Sequence, residues 1–287
     1  MGKAIRESFR AAYDEALGQW PVPVEVLDVP TPYGVTRVNG CGPVGAPTLV
    51  LLPGGGATST VWGACVAAGL ARERRVYAVD LVGEPGLSVP AAGPGRGMRT
   101  PEELAVWLDA VLDGLVPEGR ITLAGHSYGA WIAAQYAARR AGWYAPRQRL
   151  DRLVLLDPTR VFAGLSPRYV LRALPVLVRP TPGRIRSFLA WETGGAALDP
   201  AWLRLQEETA GFPTARPVTG PRPDLTGLAP FTLDVVFAGR ARCHDSLQAL
   251  ASATRTLPGA RVRLLRGTSH HALPLTAADE VARLLAP

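Results

Sequence analysis

The chain has 287 residues, of which 47% are hydrophobic, 19% charged and 7% aromatic, a balance that excludes a disordered or fibrous protein. That length holds one large domain or two small ones, and either buries a core without metals or disulfides. The net charge of +7 comes almost wholly from arginine, because Lys3 is the only lysine, and the arginines stand singly or in short groups without a reader motif; this argues against a nucleic-acid face and an acidic membrane surface.

From the N-terminus, residues 5–20 set Ile5, Phe9, Tyr13, Ala16 and Leu17 near one helical face, which predicts a short amphipathic helix packed on the body of the domain. Early acidic residues (Glu7, Asp14, Glu15) are unlike a signal-peptide core, and no stretch approaches the roughly 20 apolar residues that span a bilayer. Residues 22–29 and 35–38, joined by Pro30-Thr31-Pro32-Tyr33-Gly34, predict an antiparallel hairpin at a sheet edge. Short apolar runs at 48–52, 76–79, 121–124, 153–156, 233–237 and 262–265 then alternate with helical stretches. That is the pattern of an α/β protein with a mostly parallel, eight-stranded sheet covered by helices. Asp234 and Arg263 interrupt the last two runs and suggest strands near the sheet edge, where a face or an end meets water. The clearest helix starts at Thr100-Pro101-Glu102-Glu103, a capping box with proline at the first helical position.

The alternation breaks between the sixth and seventh strands. There, helical pieces at 169–178 (with Pro175 inside), 185–191 and 201–208 are divided by proline and glycine clusters. The expected organisation is a core of residues 1–160 and 231–287 with a helical cap, 161–230, inserted into it. Cys41, Cys65 and Cys243 are odd in number, far apart and without a C-x-x-C pair, as expected of reduced thiols in a cytoplasmic protein.

One motif carries chemistry. Gly125-His126-Ser127-Tyr128-Gly129 follows directly on the strand at 121–124 and opens a helix over 130–140, the strand, sharp turn and helix that present a nucleophilic serine. The end of the third strand supplies Leu51-Leu52-Pro53-Gly54-Gly55-Gly56, whose bare backbone can approach a ligand. The Tyr128 and Gly55 amides are the candidate donors to an oxyanion. A phosphate loop is a poorer reading, since no G-x-x-x-x-G-K follows.

A general base must come from His126, His244, His270 and His271. His126 adjoins the serine in the turn and should point elsewhere. His270 follows the last strand and precedes the terminal helix, where a loop returns it to the top of the sheet; His271 is its neighbour or a substrate contact. If the order nucleophile, acid, histidine holds, the acid is one of Asp151, Asp157, Glu192, Asp199, Glu207, Glu208, Asp224, Asp234 and Asp245. Most lie on cap helices or at the wrong end of a strand. Asp157 ends the sixth strand and Asp245 lies in the loop after the seventh, and both remain candidates. Cys243-His244-Asp245 is not a triad, because consecutive residues do not converge on one reacting atom. The histidine and cysteine spacings suggest no metal site.

With these residues in view, the chain resembles the α/β-hydrolase fold superfamily from about residue 24 to the C-terminus. Pro53-Gly54-Gly55 stands where many members carry a His-Gly loop. Asp80-Leu81-Val82-Gly83-Glu84-Pro85-Gly86-Leu87-Ser88 is similar to the D-x-x-G-x-G-x-S stretch, lengthened by one residue, and the serine turn and Gly267-x-x-His270 follow in order. The commonest position for the acid, three residues after the glycine ending the seventh strand, is occupied by Arg242. Some lipase-like members place the acid after the sixth strand in a similar Leu-Asp-Pro sequence, which favours Asp157 over Asp245.

The resemblance implies a serine hydrolase or acyltransferase that needs no cofactor and no metal. Ser127 would attack a carbonyl, His270 move the proton, Asp157 orient the imidazole, and the Tyr128 and Gly55 amides hold the oxyanion. Tyr169, Leu171, Leu174, Phe188, Leu189, Trp191 and Trp202 of the cap are expected to line an apolar pocket for a hydrophobic ester or thioester. The alternatives are a biosynthetic thioesterase, cyclase or acyltransferase on the same framework, and a non-catalytic ligand-binding homologue. A small-molecule substrate is the expected partner, with neither nucleic acid nor membrane; the oligomeric state is not legible.

Overall fold

The structure, a computed structural model, describes residues 2–93, 97–116, 118–141, 149–213, 217–228 and 231–287, with the backbone alone of 2–6 and 141. The Ile5 side chain and residue 230, the expected end of the insertion, lie outside the described residues.

The elements follow in order: α1 (Gly2–Gly18), β1 (Glu25–Thr31), β2 (Gly34–Cys41), β3 (Thr48–Leu52), α2 (Gly63–Ala67), β4 (Arg75–Val79) and β5 (Val89–Pro90). Next come α3 (Pro101–Leu115), β6 (Ile121–His126), α4 (Tyr128–Ala141), β7 (Leu150–Leu156), α5 (Pro167–Val178), α6 (Pro182–Thr193) and α7 (Pro200–Glu208). The chain closes with β8 (Thr232–Ala238), α8 (Ser246–Thr256), β9 (Arg261–Leu265), α9 (Leu273–Thr276) and α10 (Ala278–Leu285).

The strands form one mixed sheet in the order β1-β2-β4-β3-β6-β7-β8-β9. The pairs from β4 through β9 are parallel and the β1–β2 hairpin is antiparallel, as the runs of apolar residues suggest. The sheet has nine strands, not eight, because two-residue β5 pairs antiparallel with the start of β2 at Gly34 and Val35. No residue pattern announces so short a strand. Its close approach depends on Gly34, at φ +126, where a Cβ would collide with the Val89 carbonyl.

β8 and β9 end the sheet on that side, as Asp234 and Arg263 suggest, but Asp234 itself does not meet water. It lies in β8, one strand in from the edge, and is buried between Arg152 of β7 and Arg261 of β9, at 2.8 and 2.7 Å. The charge that suggests water is compensated across two neighbouring strands. β9 is the edge strand, and Arg263 is exposed there.

Two apolar layers cover the sheet. Trp107, Leu108 and Val111 of α3 pack on one face with Ala130 to Ala134 of α4 and Ala249 of α8. On the other face Val66 of α2 and Val281 and Leu285 of α10 pack with Ile185 and Leu189 of α6 and Trp202 of α7. The α3 capping box has both arms in place. Helices α5 to α7 begin about two residues before the predicted pieces, because each takes a proline into its first turn after Ser166, Thr181 or Asp199.

Pairing brings Leu52 of β3 beside Gly125, His126 beside Leu156 of β7, and Leu156 beside Val236 of β8. The strands therefore finish together, and the loops leaving them share the C-terminal edge of the sheet.

Candidate active site

β6 runs straight into α4, with Ser127 alone between them at φ +54. A non-glycine residue rarely adopts this conformation, and it costs about 1–3 kcal/mol where surrounding structure enforces it. Here the glycines allow the crossing. A Cβ at Gly125 would fall on the Gly129 carbonyl, and one at Gly129 on the carbonyls of Leu52 and Pro53. The Ser127 amide donates to the Leu156 carbonyl at 2.9 Å, fixing the turn to β7.

Asp157 follows β7 at φ +43 and is fully buried. His270 stands in the loop between β9 and α9. Its Nδ1–H donates to Asp157 Oδ2 at 2.6 Å, which leaves Nε2 as acceptor for the Ser127 hydroxyl at 2.7 Å. Ser127, His270 and Asp157 are thus brought together. Asp245 is not among them: it is exposed and caps α8, accepting the Gln248 amide at 2.9 Å. Arg242 carries no acid role either, and its guanidinium lies over the Trp191 ring, 4.8 Å from the centroid.

The surroundings hold three features that sequence reasoning missed. His244, buried, donates from Nε2–H to Asp157 Oδ1 at 3.1 Å, and the Ala238 amide donates to the same oxygen at 3.0 Å. One carboxylate therefore carries two imidazoles. Cys243 Sγ lies 4.0 Å from Asp157 Oδ2, so two members of the Cys243-His244-Asp245 string do reach one carboxylate while the third turns outward to its helix.

The second feature is Glu192 of α6, a buried carboxylate that accepts the His270 amide at 3.1 Å and the His271 amide at 3.0 Å. Third, His126, which points away from the serine as expected, donates from Nε2–H to the His270 carbonyl at 2.9 Å, a contact the sequence did not show. The loop bearing His270 is thereby gripped from α6 and from the serine turn. His271 is hydrogen-bonded through Nε2 to the Tyr169 hydroxyl at 3.1 Å.

Electrostatics follow from this packing. Burial raises the Asp157 carboxyl, but hydrogen bonds from His244 and His270 outweigh it and hold the group below the usual carboxylate range. Burial favours a neutral His244, yet Asp157 and Cys243 raise its pKa to about 10. For His270 burial again opposes the charge, and Cys243 and Asp157 lift the pKa above its ordinary value. Burial and the adjacent His270 lower His271 to about 4. Asp157, Cys243 and His270 offer potential ligand atoms within 4.8 Å of one another. The Nδ1 and Oδ2 of that set are 2.6 Å apart, closer than the roughly 3.3 Å between two ligands of a tetrahedral zinc.

Beside the serine, the 53–56 loop lies against the turn: a Cβ on Gly54 would touch the Ser127 Cβ at 3.3 Å, and one on Gly55 the Tyr128 Cβ at 3.6 Å. The Gly56 amide is bound by Glu84 at 2.9 Å. The Tyr128 and Gly55 amides donate to no acceptor among the described residues. Of the seven side chains expected to line a pocket, Tyr169 and Phe188 pack on His271, and Trp191 packs on both of them. Leu189 and Trp202 belong instead to the core, and Leu171 and Leu174 face solvent.

A mostly parallel sheet flanked by helices, with a serine on the sharp turn after its central strand, defines the α/β-hydrolase fold. A family model described as the alpha/beta hydrolase family matches residues 49–284, and the chain belongs to that family. It is similar to carboxylesterase YbfK of Bacillus subtilis (strain 168), at 34% identity over 187 residues, which are 65% of this chain and 58% of that protein. It is also similar to the uncharacterized carboxylesterase nap of the same strain, at 30% identity over 62% of this chain and 55% of that protein. The matched segment thus spans less than two thirds of either relative. Among solved structures, carboxylesterase CesB (YbfK) from Bacillus subtilis has a TM-score of 0.83 at 26% identity, over 97% of each chain. Naproxen esterase from Bacillus subtilis shares the fold, with a TM-score of 0.82 at 23% identity over 96% of each chain.

Proposed function

We propose that the chain is a serine carboxylesterase acting on esters, or thioesters, of hydrophobic small molecules. The observation that carries this reading is the unbroken hydrogen-bonded line from the Ser127 hydroxyl through His270 to Asp157. The resemblance to carboxylesterase YbfK supports it.

Ser127 Oγ attacks the carbonyl carbon as its proton passes to His270 Nε2, and Asp157 stabilises the imidazolium and fixes its orientation. The carbonyl oxygen becomes an oxyanion facing the Tyr128 and Gly55 amides, both uncommitted; Tyr128 opens α4, where the helix dipole favours negative charge, and Gly55 faces it from the loop after β3. Collapse expels the alkoxide or thiolate, which takes the proton from His270 and leaves Ser127 acylated. Water, deprotonated by the same imidazole, then releases the acid and restores the hydroxyl.

Helices α5 to α7 act as a cap, residues 161–230, on the core of 1–160 and 231–287. Tyr169, Phe188 and Trp191 give its inner face an aromatic surface suited to an apolar acyl or alcohol group. A panel of p-nitrophenyl esters and acyl thioesters of increasing chain length tests the reading. Turnover should favour apolar acyl groups and vanish in Ser127→Ala; equal turnover by wild type and variant would refute it.

A further inference from the structure

One surface feature is unrelated to the hydrogen-bonded line at Ser127. Val170, Leu171, Leu174, Leu177 and Val178 of α5 are exposed, Leu171 and Leu177 at 72% each and Val178 at 74%, and Leu165 just before the helix is exposed as well. At about 100° per residue the five helical positions lie within roughly 120° of arc. Tyr169, Ala173 and Val176 occupy the opposite side and face the body of the protein. The apolar stripe therefore points outward with nothing against it among the described residues.

The charges carried by the segment that holds the stripe are of one sign, and the acidic groups beside it come from other elements, Glu207 and, in the cleft with Leu165 and Arg168, Asp245. Residues 158–191 contain six arginines, Arg160, Arg168, Arg172, Arg179, Arg184 and Arg186, and no aspartate or glutamate. All six are exposed. Only Arg186 has a carboxylate partner among the described residues, Glu207. On the helical wheel Arg168 and Arg172 lie together on one side, between the apolar stripe and the buried face, and Arg179 follows at the end of the helix. The arginines that look scattered in overall composition form, over this stretch, a basic field in excess of its acidic neighbours beside exposed leucine and valine.

We propose that α5 docks on an anionic lipid surface, its leucines and valines entering the boundary between headgroups and acyl chains and its arginines meeting the lipid charge. An exposed apolar stripe with arginines along one edge and basic residues on the adjoining loop and helix is the composition of a helix that lies in such an interface. No helix among the described residues is long and apolar enough to cross a membrane, so the contact is peripheral. A second copy of the chain fits poorly, because a two-fold contact through α5 sets the same arginines against one another. The inference stands apart from the esterase reading, and its test does not use activity.

The test is co-sedimentation of the purified chain with vesicles of phosphatidylcholine alone and of phosphatidylcholine mixed with phosphatidylglycerol. Wild-type protein should pellet with the anionic vesicles and leave them in about 1 M salt, where the Debye length shrinks to about 3 Å. Leu171→Gln/Leu177→Gln should lower the partition about a hundredfold, roughly tenfold for each leucine withdrawn from lipid, without changing the melting temperature. Arg168→Gln/Arg179→Gln should lose the preference for anionic over neutral vesicles, which keeps the test decisive if the leucine variant fails to fold. Wild type remaining in the supernatant with both vesicles would overturn the proposal. So would light scattering that finds a wild-type dimer and a monomeric Leu171→Gln/Leu177→Gln variant.

Discussion

The second imidazole on Asp157 has a measurable consequence. With a pKa of about 10, His244 is a cation at neutral pH, and part of the Asp157 charge is offset before His270 is reached. The two rings are 6.4 Å apart between centroids. At an effective dielectric constant of about 20, unit charges at that separation repel by about 2.6 kcal/mol, which corresponds to about two pKa units. His244→Gln removes the charge while retaining an N–H that reaches Asp157 Oδ1, so His270 should become more basic by roughly one to two units after local relaxation. The reaction needs neutral His270, so activity falls as pH drops through that pKa. The acid limb of the kcat/KM profile for a p-nitrophenyl ester should therefore move to higher pH in the variant. A limb that stays in place, or moves to lower pH, would refute the idea that His244 is charged and opposes His270.

The same group links stability to pH. Its folded pKa of about 10 exceeds an unfolded value near 6.5, so its contribution is fully present below about pH 6.5 and is lost as pH rises through about 10. Urea unfolding should show wild type losing stability across that window, with a flatter curve for His244→Gln. Asp157→Asn should lower kcat by about 10³–10⁴-fold by disturbing the tautomer of His270. Asp245→Asn should stay within a few-fold of wild type, and comparable effects at the two positions would remove Asp157 from its role. Glu192→Gln should leave one of the two loop amides without a good acceptor, at a cost of about 1–3 kcal/mol. Because it acts by positioning His270, kcat should fall with KM little changed; a rise in KM alone would mean that Glu192 meets substrate instead. Gly129→Ala forces a Cβ onto two backbone carbonyls and should lower the melting temperature by several degrees, which circular dichroism would detect.

The sheet was legible because buried parallel strands read as short apolar runs, and the serine turn because glycine-x-serine-x-glycine sits between such a run and a helix. β5 was not legible, since two residues carry no period and their pairing depends on Gly34, 55 positions from Val89. Asp234 misled for a related reason: its partners Arg152 and Arg261 are 82 and 27 positions away and become neighbours only when strands align.

At the site, His270 was found by its place after the last strand. Asp157 and Asp245 were separable from residues alone only by noticing that Asp245-Ser246-Leu247-Gln248 has the spacing of a helix cap. Glu192 and His244 left no local signal, because their contacts with His270 and Asp157 span 78 and 87 positions. The basic, acid-free stretch from 158 to 191 was present in the sequence throughout, and whole-chain charge counting concealed it.

Labelling with a fluorophosphonate, followed by mass mapping of the adduct, addresses most directly whether Ser127 is an activated nucleophile. A single adduct on Ser127, absent in Ser127→Ala and strongly slowed in His270→Ala, is the outcome that the hydrogen-bonded line requires. Folded protein that remains unlabelled, or is labelled at another residue, would contradict it.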